Sequence, residues 1–66
     1  MKELYLENTT GKSNKYYRMT ELNNGKFRAE WGRINALNPL GTKDYQMVEW
    51  EATKKKKEKK GYAVIE

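Results

Sequence analysis

The chain has 66 residues, no Cys, no His and a net charge of +5. That length makes a single small domain, residues 1–66, which on folding buries only about 60% of the surface its unfolded chain exposes. Without Cys or His there is no disulfide, no thiolate, no His metal site, no His general base and no Ser-His-Asp triad. The carboxylates are not clustered either, so a non-enzyme with no catalytic residue, no metal and no cofactor is expected.

Five Tyr, two Trp and one Phe must supply much of the core. The opening Met1-Lys2-Glu3-Leu4-Tyr5-Leu6 holds no apolar run of signal-peptide length, and no stretch approaches the roughly 20 apolar residues of a membrane span. A cytoplasmic location and no membrane partner are therefore expected. Asn8-Thr9-Thr10 matches a glycosylation sequon, read as chance without a secretion signal.

Lys2 to Glu7 reads as a first strand, with Leu4 and Leu6 inward and Tyr5 on the other face. Residues 8–14 are a polar connection rich in turn formers. Lys15 to Leu22 is a second strand, with Tyr17 and Met19 sharing one face and Tyr16, Arg18 and Thr20 the other. Asn23-Asn24-Gly25 predicts a hairpin closed by a type I′ turn. The third strand, Phe27 to Ile34, alternates Phe27, Ala29 and Trp31 with Arg28, Glu30 and Gly32. Trp31 and Arg33, two apart, are expected on one face, and Gly32 leaves bare backbone on the other, where a backbone or ligand could approach.

Asn35 tolerates the left-handed region, so the chain can turn there. Residues 36–41 form a Pro- and Gly-containing loop whose Leu37 and Leu40 either fold back on the sheet or stay partly exposed. Thr42 to Gln46 is a short fourth strand, and Val48 to Lys60 a helix ended by Gly61. Trp50 is its anchor, sharing a face with Thr53, Lys54 and Lys57, and Glu51–Lys55 and Lys54–Glu58 are expected charge pairs. Tyr62, Val64 and Ile65 form a tail that packs back on the sheet. The reading is an α+β fold: a twisted antiparallel meander of about four strands with one C-terminal helix packed on it.

Residues 54–60 carry six Lys and one Glu, so the whole charge excess lies in that segment and the rest of the chain is balanced. A Lys run attracts phosphate without regard to sequence, and it also serves simply as a solvated helix end. Trp31 beside Arg33 joins a stacking plane to a fork of donors. The plainer alternatives are a core Trp, a solvated Arg, a turn residue at Asn14 and an ordinary strand-start charge at Lys15.

Trp31-Gly32-Arg33-Ile34 after a hairpin, with Asn14-Lys15-Tyr16-Tyr17 before it, resembles the WGR domain, named for its Trp-Gly-Arg triplet. Gly41-Thr42-Lys43 resembles the start of the strand before that domain's helix, and Lys57-Glu58-Lys59-Lys60-Gly61-Tyr62 resembles the helix's close. The resemblance runs from roughly Leu4 to Tyr62. WGR domains occur in DNA-dependent poly(ADP-ribose) polymerases and as small bacterial or phage proteins. The resemblance implies a non-catalytic module on a twisted sheet with one helix. In the polymerases it grips DNA breaks, with the Trp on the sugar of a terminal nucleotide and the Arg and Asn-Lys pair near the 5′ phosphate or a domain interface. This chain departs in having Asn35 where Gly is usual, a longer and more apolar loop at 36–40, and Thr53 and Lys54 at commonly apolar helix positions. No ADP-ribosyltransferase domain accompanies it here, so the polymerase activity does not carry over.

The leading expectation is a monomeric nucleic-acid-binding module for DNA ends or nicks, with Trp31, Arg33, Lys15, Asn14, Lys54 and Lys57 as the DNA-binding candidates. The alternative is a protein–protein interaction module that uses the same Trp31 and Arg33 surface, favoured if Leu37 and Leu40 are exposed.

Overall fold

The computed structural model describes residues 2–12 and 14–65; Ser13 of the polar connection, Met1 and Glu66 lie outside the described residues. Strands β1 (Glu3–Asn8), β2 (Lys15–Glu21), β3 (Lys26–Arg33) and β4 (Gly41–Gln46) form the expected antiparallel meander. A 3-10 turn, Met47–Glu49, leads into helix α1 (Trp50–Lys59). The tail adds a fifth strand, β5 (Ala63–Val64), antiparallel to β1, so the sheet order is β4-β3-β2-β1-β5.

The register follows the side-chain alternation. Leu6 pairs with Tyr17, Tyr17 with Trp31, Met19 with Ala29 and Phe27 with Tyr45, which places one continuous apolar set on one face. Leu6, Tyr17, Met19, Phe27 and Ala29 are buried there, and Trp50 closes over them, edge-on to Phe27 at 5.1 Å between ring centroids. A one-residue slip would turn this whole set to solvent, so burial itself fixes the pairing.

The β2–β3 connection is a hairpin, but its turn differs from the expected one. Leu22 N–H donates to Lys26 C=O at 2.8 Å, and within Asn23-Asn24-Gly25 only Gly25 has positive φ, +76°. A type I′ turn needs positive φ at two central residues. This is a three-residue loop, in which Gly supplies the single left-handed step. Asn35, at φ +71°, turns the chain where expected.

The helix starts later than the expected Val48, because residues 47–49 take the tighter 3-10 form, with Glu49 reaching back to the Gln46 N–H at 3.2 Å. Trp50, Thr53, Lys54 and Lys57 are its buried or half-buried positions, the face expected from their spacing. The expected charge pairs along the helix do not form: the ion pairs among the described residues are Arg18–Glu30 and Arg28–Asp44, both on the sheet. Gly61, at φ +101°, ends the helix; its N–H donates to Glu58 C=O and the Tyr62 N–H to Lys57 C=O, a Schellman motif.

Asn8, on β1, ties this helix end to the sheet. It is buried, its Nδ2 donates to Lys60 C=O at 3.2 Å, and its Oδ1 accepts from the N–H and hydroxyl of Thr10. The amide of the sequon is thus a structural clamp on an otherwise open helix carbonyl.

Candidate nucleic-acid interface

The triplet closes β3, and its three residues meet three different environments. The Trp31 indole leans across onto β4 and stacks alongside Tyr17, with centroids 6.1 Å apart and planes 16° apart. A Cβ at Gly41 would fall 2.6 Å from its Cζ2, so only glycine leaves the ring its place. Trp31 is half-buried and keeps an open edge, where it lines a small cavity with Tyr17, Tyr45, Tyr62 and Lys57. At about 180 Å³ this cavity is below the usual size of a small-molecule pocket.

Lys57 closes the cavity from the helix. Its Nζ stands 4.5 Å from the Tyr17 ring centroid and 5.8 Å from that of Tyr62. Burial, then the charges of Lys60 and Lys56, hold its pKa below the ordinary lysine value. The Tyr17 phenol is pushed up to about 12, first by burial and then by the Tyr45 and Tyr62 phenols beside it.

Gly32 is buried under the chain's own loop. A Cβ there would lie 3.1 Å from the Leu40 N and 3.2 Å from the Pro39 Cα. Leu40 N–H donates to Trp31 C=O at 2.8 Å and Ala36 N–H to Arg33 C=O at 3.2 Å, which fastens the loop at both ends. The close approach expected at this glycine is therefore made by the backbone of 39–40, and no room remains for a ligand.

Arg33 goes elsewhere. It pairs across the ladder with Lys15, and Ile34 N–H extends the pairing to Asn14 C=O at 3.0 Å. Arg33, Lys15, Asn14, Lys12 and Ile34 line an open notch of about 490 Å³. Among the described residues no carboxylate lines it, and neither Arg33 nor Lys15 belongs to an ion pair. Two like charges directly opposite on neighbouring strands repel, so the bare notch carries a cost that an anion would remove.

The six sequence candidates thus divide. Asn14, Lys15 and Arg33 meet in the notch, Trp31 and Lys57 meet in the aromatic cavity, and Lys54 sits half-buried on the helix and lines neither. Trp31 and Arg33, expected to act together, line different cavities: the indole lies against Gly41 in the aromatic cavity, and Arg33 lines the notch with its cross-strand partner Lys15. Lys12 and the wall residues Tyr17, Tyr45 and Tyr62 were missed as site residues. Tyr17 was legible as the cross-strand neighbour of Trp31, whereas Lys12 carries no periodic signal.

Leu37 is fully exposed and Leu40 is 69% exposed, which settles the two alternatives for the loop. Among the described residues no three acidic side chains gather to hold a metal, and no helix is long and apolar enough to cross a membrane. Comparison of the chain with protein-family models, with curated proteins and with solved structures finds none that matches.

Proposed function

We propose that this chain is a non-catalytic nucleic-acid-binding module of the WGR type that recognises DNA ends or nicks. The observation that carries the reading is the notch: Lys15 and Arg33 directly opposed, joined by Lys12 and Asn14, with no carboxylate among the described residues that line it. A terminal phosphate relieves their repulsion and accepts from the guanidinium fork and both ammonium groups. The Lys run of α1 adds attraction independent of sequence, which falls steeply with salt. Trp31 offers an edge beside the Lys57 ammonium on the helix-covered side of the sheet.

A titration with matched nicked, blunt and closed circular duplexes, at two salt concentrations, tests this. Tighter binding to 5′-phosphorylated nicked or blunt DNA supports it. Equal binding to all three, governed by salt alone, leaves only a basic helix.

A second reading, a protein-interaction module, is favoured by one specific observation. Leu37 and Leu40 stand in solvent on a loop that hydrogen bonds hold against the sheet. A cellular protein retained through Trp31 in the absence of DNA binding would select it.

A further inference from the structure

The sheet face opposite the helix carries a groove that meets the notch at Arg33 and shares no residue with the aromatic cavity. We infer that this groove, between the Tyr5–Tyr16 pair and the 36–39 loop, docks a short linear segment of a partner protein bearing an apolar side chain next to a carboxylate. The inference rests on the second reading above and moves its site from the Trp31 surface to this face.

Tyr5 and Tyr16 stack with centroids 6.0 Å apart, and the Arg18 guanidinium lies over both at 5.3 and 5.9 Å. Leu37, Pro39 and Arg33 form the opposite bank, enclosing about 300 Å³. The bank is rigid for a stated reason: its backbone fits over Gly32, and the Ala36 and Leu40 N–H groups are bonded to the ends of the triplet. Leu37 is therefore held in solvent by an ordered loop, and covering it adds apolar burial at small entropic cost.

Charge selects the rest of the occupant. Arg18 shares Glu30 at 3.8 Å, but Arg33 has no acidic partner among the described residues, so the groove's unmatched charge is positive and beside the exposed leucine. A carboxylate next to an apolar side chain answers both features. A nucleic-acid strand fits less well. The two ring faces are taken up by each other and by Arg18, and the Tyr16 hydroxyl donates to Glu30, a groove carboxylate already paired with Arg18.

The test uses the full chain and fluorescein-labelled decapeptides with a central Leu or Phe two residues from an Asp, beside versions with that Asp changed to Lys. The acidic peptides should bind at least about tenfold more tightly than the charge-reversed ones, and Leu37→Ser and Arg33→Gln should each weaken them by about tenfold or more. Neither side chain is buried, so neither variant should lower the melting temperature. Amide shifts on binding should concentrate at Tyr16 and residues 36–39. Absence of peptide binding, equal binding of the reversed peptides, or the same shifts produced by single-stranded DNA overturns the inference. Peptide binding that survives Leu37→Ser but is lost in Trp31→Ala overturns the groove and leaves the second reading standing.

Discussion

The helix-covered face of the sheet has two unlike ends. Around Phe27 it is sealed: Phe27, Met19 and Ala29 are fully buried, and the Trp50 ring meets Phe27 edge-on. Around Trp31 it is open, with four aromatic side chains and the Lys57 ammonium lining a cavity. One helix serves both ends. Its first residue is its only fully apolar anchor; one turn on stands Thr53, and two turns on stands Lys57. Packing that begins as a core therefore becomes a cation over tyrosines within two turns. The stability of this small domain should reside at the sealed end, and binding should be adjustable at the open end and in the notch.

The sharpest break of that comparison is Phe27→Ala, expected to cost about 3–5 kcal/mol by urea unfolding. That is a large share of a small domain's stability of about 5–15 kcal/mol. Trp31→Ala, at a half-buried site, should cost clearly less in the same assay. Equal losses would erase the distinction between the ends.

Alkali probes the seam between them. Tyr17 holds its proton to about 12 when folded, whereas an unfolded tyrosine releases it near 10. Below pH 10 both states keep the proton and the full stability is present. Between about 10 and about 12 the unfolded state alone ionises, so the melting temperature should fall across that window. The raised pKa values of Tyr5 and Tyr16, from burial and then from Glu7 and Glu30, act in the same direction. Tyr17→Phe should make the decline shallower.

Asn8→Ala removes the clamp between β1 and the helix end and leaves Lys60 C=O without its donor. A loss of about 1–2 kcal/mol in urea unfolding is expected, with faster hydrogen exchange of the Gly61 and Tyr62 amides. Lys57→Gln gives up the cation over Tyr17 and should change stability by no more than about 1 kcal/mol. The smallest stability effect belongs to the notch: Lys15→Gln or Arg33→Gln should shift stability by only a few tenths of a kcal/mol, in the stabilising direction, because each ends a like-charge opposition.

Much of the scaffold was legible in the sequence because it obeys two periods. Alternation along 15–22 and 27–34 marked both strands and their inward sets to within a residue at each end, and the spacing of Trp50, Thr53, Lys54 and Lys57 marked the helix face. Asn24-Gly25 located the hairpin but not its turn, since only the second of the two residues takes positive φ. Strand β5 has two residues and no period to read, and Asn8 reaches a carbonyl 52 positions away. Alternation says which face Trp31 occupies but not the direction in which its ring leans. Gly41, on the neighbouring strand, leaves the room that the ring occupies.

The central claim is that Lys15 and Arg33 hold a terminal phosphate. The most direct measurement is the affinity ratio between a nicked duplex with a 5′ phosphate and the same duplex with a 5′ hydroxyl, for the wild-type chain and for Lys15→Gln with Arg33→Gln, at fixed salt. The account predicts a ratio of about ten or more that collapses to about one in the double variant, while the salt-dependent attraction of the helix lysines persists. A wild-type ratio near one, or a ratio that survives the double variant, would contradict it.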